Sequence, residues 1–461
     1  MHADRSRNPF RRPGRAAELR LRTFVLLRFG LLFWSATYLV FMVMSGHTYV
    51  RSVAFVFSLA LALWLVLGAI FSDGEAIPLP PTPLLVTLAA WSGWSAASLL
   101  WSIHPAFSAA ELGTEVGWGL CTMFIFFVAA RSGPAFRTLV LAALGVGTVL
   151  CMLAIAAAMS EGVTDLDIAL SRAHGGVGAF STYLVLAVPL LPLMLAPRPT
   201  GFGMRLPAIA FVGILFALML TAARITENRM FWVALAAGFV VAALLAAWRW
   251  RARLRRTPWR WVAVLALLLA ILATLFVDAV GTRARNNLAP SASVAQALAD
   301  DPRIALWQHT FWRIGERPWL GFGYGKSILR EELRGELGDP LLAHAHNVFV
   351  SQWLQTGVIG LTILVALLLT LTRQYWRFLR VSDPTLAMLG FVGITLLATF
   401  LVKNLTDDFL VRPNSKEFWA LNAMLMGWGV RRARAIGATP ISTTLRVGPV
   451  GASAPSWRSQ R

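Results

Sequence analysis

Long apolar stretches separated by short polar breaks recur along nearly the whole of this chain. They fall at 24–44, 53–71, 84–101, 116–130, 138–159, 177–196, 207–221, 230–248, 260–277, 347–371, 386–402 and 418–430. A helix needs ~20 mostly apolar residues to cross a bilayer core, and most of these runs approach that length. The stretches at 116–130 and 418–430 are short for a crossing. The pattern predicts an all-α polytopic membrane protein with about 12 transmembrane helices.

The longest hydrophilic connection runs from Asp278 to His346, too long for a simple turn. It holds a helix-like stretch at Ile304–Ile314, a glycine-rich turn at Gly321–Gly325, and a charged amphipathic piece at Lys326–Leu337. We read it as a small subdomain of short helices. The chain then divides into a basic tail at 1–23, nine helices within 24–277, the subdomain at 278–346, three helices within 347–430, and a tail at 431–461 expected to be disordered. No internal repeat is evident.

Charge gives these helices an orientation. The chain has 461 residues, 57% hydrophobic and 14% charged, with a formal charge of +20 from 42 basic and 22 acidic residues. A soluble domain carries roughly a quarter charged residues. In a soluble protein so large a positive charge would point to nucleic acid. Here the dense basic clusters fall in alternate loops, as expected when Arg and Lys mark the cytoplasmic side. They lie at Arg5–Arg22, Arg249–Arg256, Arg373/Arg377/Arg380 and Arg431/Arg432/Arg434. Both ends are therefore expected in the cytoplasm, the long connection outside, and no nucleic acid as partner. The inside loop 72–83 has Asp73 and Glu75 and no positive charge, but acids weigh little in this rule. The first apolar run is long and lacks a cleavage site, so it reads as a helix behind a cytoplasmic tail. Cys121 and Cys151 both lie in apolar runs and form no metal or disulfide framework.

Against that bias, the cations on the outer side need another reason. Arg172 lies just before the run at 177, and Arg224 and Arg229 flank the loop between the runs at 207 and 230. Arg303 and Arg313 lie in the long connection, Lys403 and Arg412 in the last outer loop. The arginine fork suits the oxygens of a diphosphate. The plainer alternative is snorkelling, or pairing of Arg224 with Glu227 and of Arg412 with Asp408.

Two of the 7 histidines stand in Leu341-Leu342-Ala343-His344-Ala345-His346-Asn347, where the connection enters a helix. The dipole at a helix N-terminus disfavours the protonated form, so such a histidine can serve as a general base. A capping role is the plain alternative. A metal reading of His-x-His lacks obvious third and fourth ligands. The run Arg317-Pro318-Trp319-Leu320-Gly321-Phe322-Gly323-Tyr324-Gly325 follows no strand and has no lysine of a phosphate loop, so nucleotide binding is rejected.

Four groups of residues, in this order, resemble the O-antigen ligase family, within a wider group that includes O-antigen polymerases and bacterial protein O-oligosaccharyltransferases. They are Asn228-Arg229 with Trp232; Arg303 with Trp307 and the segment Pro318–Gly325; His346-Asn347 with Phe349, Gln355, Gly357 and Gly360; and Asp407-Asp408 through Phe418-Trp419. The resemblance implies a glycosyltransferase architecture of the GT-C-like kind in the inner membrane of a Gram-negative bacterium. It implies transfer of an O-antigen glycan from undecaprenyl diphosphate to a hydroxyl of the lipid A–core oligosaccharide, on the periplasmic face, with no cofactor and no required metal. Carried over, His346 would take the acceptor's proton, and Arg229 and Arg303 would hold the diphosphate. Fixed cations aimed at developing charge are worth perhaps ~3 kcal/mol each. Asn347, the neighbour that distinguishes His346 from His344, is also a substrate-binding candidate. Arg172 and Arg224 are further substrate-binding candidates, although relatives carry one arginine near the turn where this chain has two.

Other functions stay open. Polymerases and protein oligosaccharyltransferases share the chemistry and differ in acceptor. A transporter of lipid-linked glycans would need charge inside the membrane. The predicted helices are nearly free of it, Arg28 being the exception. The oligomeric state is not readable from the sequence.

Overall fold

The computed structural model describes residues 15–71, 77–160, 163–195, 205–251, 258–287, 303–338, 342–437 and 443–445. Sixteen α-helices are present among them: α1 Arg15–Val43, α2 Thr48–Phe71, α3 Thr82–Ala97, α4 Pro105–Glu111, α5 Trp118–Ala129, α6 Gly133–Ser160, α7 Val163–His174, α8 Val177–Ala187, α9 Arg205–Ile225, α10 Arg229–Arg249, α11 Pro258–Asn287, α12 Arg303–Glu316, α13 Arg330–Leu337, α14 Val348–Arg380, α15 Pro384–Lys403 and α16 Arg412–Ala435. A single antiparallel strand pair, β1 Ile77–Leu79 with β2 Thr443–Leu445, accompanies them in the register Ile77 to Leu445. The residues 445 and below in the expected C-terminal tail thus include a helix end and a strand; 446–461, 1–14 and 288–302 of the expected tails and subdomain lie outside the described residues.

Eleven helical segments among the described residues are long and apolar enough to cross a membrane. The protein is thus a multi-pass helical membrane protein. The run expected at 116–130 is part of a longer span, Pro105–Ala129, built from α4, a π-helical turn at Leu112–Gly117, and α5. Glu111 and Glu115 interrupt its apolar pattern, which is why the sequence shows only its second half.

The twelfth expected helix is α16, and it fails the composition test for a reason visible in its packing. At 24 residues it extends ~36 Å, enough for a bilayer core. Its middle, Glu417 to Met426, is no more than 2% exposed at any position. A helix walled in by protein need not be apolar all round, so it accommodates Asn414, Glu417 and Asn422. It packs along α5 and also against α1, α8 and α15.

Two cores follow. The large one runs through the bundle. The small one gathers Leu306, Phe322, Ile328, Leu333, Leu342 and Leu354 from α12, α13 and the neighbouring loops, capping one end of α14.

That cap is locked to the bundle at a kink. Inside α14, Gly357 has φ +70, and a Cβ there would lie 1.9 Å from the Trp319 carbonyl oxygen. The kink frees carbonyls that a straight helix would use internally. The Leu354 and Gln355 carbonyls instead accept from the N–H groups of Phe322 and Gly323, at 3.0 and 2.9 Å, while Val358 N–H donates to Pro318 at 2.9 Å. The glycine run therefore serves as a backbone splint, in line with the rejection of nucleotide binding.

Candidate active site at the histidine end

The loop entering α14 is held from three sides. Asn347 caps the helix, its Oδ1 accepting from Phe349 N–H at 2.9 Å and Val350 N–H at 3.2 Å. Its Nδ2 donates to the Leu405 carbonyl at 2.8 Å, and Val348 N–H donates to the Asn404 carbonyl at 3.0 Å. Trp307 Nε1 on α12 donates to the Ala345 carbonyl, between the two histidines, at 2.8 Å. Between these anchors His346 is fixed at φ +47, a left-handed conformation that costs a non-glycine residue ~1–3 kcal/mol and recurs at functional sites.

The result is a compact cluster. The His344 and His346 rings lie 3.8 Å apart between centroids. His346 Nδ1 is 3.4 Å and His344 Nε2 3.8 Å from the same oxygen of Asp407. Burial alone would raise Asp407; its contacts with the two histidines and the charges of Lys403 and Lys326 outweigh that and hold its carboxyl well below the usual range. Burial pushes His344 down to about 3, with the nearby Lys326 and His346 adding to the effect, so this imidazole is neutral at ordinary pH.

Cations line the other side. Lys326 Nζ donates to the Asp408 carbonyl at 2.5 Å. Lys326 and Lys403 flank the Phe409 ring at 5.6 and 4.9 Å from its centroid. Lys403 is only 1% exposed, and it feels the charges of both Asp407 and Arg303. Arg303 opens α12 one turn before Trp307, on the same helical face, which directs it toward the histidine loop. Arg229 opens α10 behind its cap Asn228, whose Oδ1 accepts from Phe231 N–H at 3.3 Å. Arg249 at the far end of α10 donates to the Leu379 and Val381 carbonyls beside the start of α15. The two helices are thus antiparallel, and Arg229 lies at the same end of the bundle as Lys403.

The other sequence candidates fare differently. Arg224 pairs with Asp278 of α11, not with Glu227. Asp408 does not hold Arg412 as anticipated: Asp408 is buried, and Arg412 instead donates its backbone N–H to Glu115 Oε2 at 2.6 Å. Arg172 is exposed on the last turn of α7. Arg313 is bound to Glu316 and Glu332, tying α12 to α13. Asn347 spends its side chain on the helix cap and on Leu405, so it positions His346 where a substrate-binding role was expected.

Asp407 and Lys326 are the residues whose roles the sequence did not disclose, while Lys403 stood there only as one of the outer cations. Asp407 also supplies a third donor to the two histidines: one ligand atom from each residue lies within 4.8 Å of the others. The metal reading therefore gains a third ligand and still has no fourth among the described residues. It meets a further objection, since two lysines and Arg303 surround the single carboxylate and repel a dication.

A second buried group lies at the same end. His174 Nε2 is 3.5 Å from Glu417 Oε1, and Asn414 Nδ2 donates to Glu417 Oε2 at 2.7 Å. His174 Nδ1 bonds the Val43 carbonyl, and burial lowers this imidazole to about 4. Its partners are all protein groups on α1, α7, α8 and α16, which makes it a joint between helices.

Comparison with known proteins agrees with the resemblance read from the sequence. Residues 214–365, about a third of the chain, match the family described as O-Antigen ligase. The matched region holds Arg224, Arg229, Arg303, the glycine run and both histidines. A general O-oligosaccharyltransferase from Acinetobacter baylyi is 24% identical over 157 residues, which cover 32% of this chain and 28% of that relative.

Proposed function

We propose that the protein is a lipid-linked glycan ligase that transfers an O-antigen glycan from undecaprenyl diphosphate to a hydroxyl of the lipid A–core oligosaccharide, at the periplasmic face of a Gram-negative inner membrane. The observation that carries this reading is one cluster of two imidazoles and a carboxylate, His344, His346 and Asp407, beside a concentration of cations at one end of a membrane bundle. The family match over residues 214–365 supports ligase-type glycan transfer.

In this reading Asp407 accepts from His346 Nδ1 and fixes the ring, as the carboxylate of a catalytic triad orients its imidazole. Nε2 of His346 takes the proton as the acceptor hydroxyl attacks the anomeric carbon. The glycosyl–oxygen bond to the diphosphate breaks, and the diphosphate leaves with the electron pair. Arg303 and Arg229 stabilise the charge that accumulates on it, and Lys403 and Lys326 reinforce the positive field. His344 stays neutral and packs on the His346 ring, limiting its motion.

Likeness to a general O-oligosaccharyltransferase favours a second reading, transfer of the glycan by the same site to a serine or threonine hydroxyl of a protein. The deciding experiment is in vitro transfer from a defined undecaprenyl-diphosphate glycan with purified lipid A–core and a pilin-like protein offered separately. Transfer to lipid A–core alone is expected; transfer only to protein, or to neither, overturns the ligase reading.

A further inference from the structure

Arg28 is the charge that transfer leaves unexplained. It sits inside the first apolar span, Thr23–Val43, where a charge is costly and seldom lacks a function. It lies at the end of the bundle opposite the histidines, since α1 runs from there to the Val43 carbonyl that holds His174.

At that end a cavity of about 540 Å³ opens between α1, α2, the α5–α6 turn and the last turns of α16. The volume is within the ~300–1,000 Å³ typical of small-ligand sites. Its lining divides by chemistry. Arg28, Arg131, Arg431 and Arg434 converge on it from three separate segments, and among the described residues no carboxylate lines it. Ser132 and Pro134, at the N-terminus of the 28-residue α6, add the positive end of a helix dipole. The remaining walls are apolar, with Phe24, Phe29, Leu32, Leu65 and Val66 among them.

Three of the arginines are arranged by aromatic and backbone contacts. Arg28 lies over the Phe24 ring at 3.8 Å, and Arg131 stands 5.6 Å from the same ring. Arg431 donates to the Phe127 and Gly427 carbonyls at 2.8 and 2.9 Å and so clasps α5 to α16. Arginines that only fix topology belong in loops and have no reason to converge on a cavity.

The outward surface extends the site along the membrane. Leu26, Phe29 and Phe33 repeat at helical spacing on α1 and are 70%, 69% and 54% exposed. Phe29 belongs to both the cavity and this stripe. We propose that the cavity binds the phosphate head group of an anionic phospholipid, its acyl chains lying along the Leu26–Phe29–Phe33 stripe. A cation-lined pocket continuous with an apolar helix face matches a molecule that is anionic at one end and hydrocarbon at the other. Free inorganic phosphate shares the head-group chemistry but makes no use of the stripe.

The test is native mass spectrometry of the full-length protein, delipidated in mild detergent and titrated separately with phosphatidylglycerol, with phosphatidylcholine of equal chain length, and with phosphatidylglycerol in the presence of inorganic phosphate. We expect phosphatidylglycerol to bind at least about tenfold more tightly than phosphatidylcholine, phosphate at equal concentration not to displace it, and the triple variant R28Q/R131Q/R434Q to abolish the preference. Equal binding of the two lipids, or an unchanged preference in the variant, overturns the proposal. Displacement by phosphate at equal concentration overturns the lipid as occupant. Should the triple variant fail to fold, Arg131→Gln alone, in the turn between α5 and α6, carries the test. It should weaken the preference several-fold, and full retention overturns the proposal.

Discussion

Both ends of this bundle gather cations, and their surroundings differ. At the histidine end Lys403 and Lys326 stand beside two imidazoles and the Asp407 carboxylate, and Arg224 pairs with Asp278. At the opposite end four arginines line a cavity, and among the described residues no carboxylate joins them in its walls. Cations alone can hold an anion but cannot move a proton. Cations interleaved with a neutral imidazole and an orienting carboxylate can do both, which is what group transfer from a diphosphate requires. Composition would have scored the two ends alike; the neighbours separate them.

The sharpest way to break this contrast is to remove the proton acceptor. His346→Ala should lower transfer by ~10³-fold while the protein still folds and binds donor, measured with radiolabelled or fluorescent lipid-linked glycan. A purified variant with wild-type turnover would reduce the histidine end to another set of anion contacts. Next in size is a change to the scaffold that presents the loop. Gly357→Ala places a methyl group at φ +70 and 1.9 Å from the Trp319 carbonyl oxygen. It should destabilise the protein by roughly 3 kcal/mol, seen as a lowered thermal midpoint in detergent. An unchanged midpoint would mean that the splint between α14 and the glycine run is dispensable.

Arg303 and Arg224 compare a cation directed at the site with one bound elsewhere. Arg303→Ala should cost ~100-fold in transfer and weaken donor binding, because it removes charge from the departing diphosphate. Arg224→Ala removes a half-exposed ion pair with Asp278, and should cost less than ~1 kcal/mol of stability and little transfer. Equal losses in both would return Arg224 to the site.

How much of this was legible follows from where the information lies. Spans facing lipid are written in composition, because the solvent demands apolar side chains there; Val262–Thr282, only 11% buried, was read close to its bounds. Spans facing protein are not. The Pro105–Ala129 span hid its first half behind Glu111 and Glu115, and α16 tolerates Glu417 only because its neighbours enclose it. At the site, His346 and Arg303 could be named because they stand in quotable motifs. Asp407 also stands in a quoted motif, but its role could not be read, since it depends on a contact across the gap between two helix ends 61 positions apart in sequence. The helix-capping role of Asn347 was hidden for the converse reason: a polar residue beside a candidate base looks like a substrate contact, and its cap bonds show only in the fold.

Acidity offers a smaller effect that still distinguishes the ends. His344 is held near about 3, below its ordinary value, so the folded protein stays unprotonated there while the unfolded chain takes up a proton near pH 6.5. Its contribution to stability is complete above pH 6.5 and is lost as pH falls toward 3. The slope is at most ~1.4 kcal/mol per pH unit. His344→Gln should flatten that slope in chemical denaturation followed across this range. His174, held near about 4, leaves a residual slope in both proteins. At the opposite end Asp383, which burial would raise and Arg432 holds below its ordinary value, adds only at the acid edge of this window, so an equally steep slope in the variant would place the acid-sensitive groups elsewhere.

The smallest effect expected is that of chelation, and it tests what kind of centre the histidine cluster is. Two imidazoles and one carboxylate oxygen within 4.8 Å could seat a divalent ion by geometry. Their surroundings favour the opposite charge. Lys403 is almost fully buried beside Asp407, Lys326 lies across the Phe409 ring from it, and Arg303 is within electrostatic reach of Lys403. A dication entering this cluster would meet three fixed positive charges and only one negative, whereas a diphosphate would meet the reverse. EDTA should therefore change transfer by less than about twofold. Inhibition by EDTA that zinc or manganese reverses, and that Asp407→Asn abolishes, would make His344, His346 and Asp407 metal ligands and remove His346 as the base.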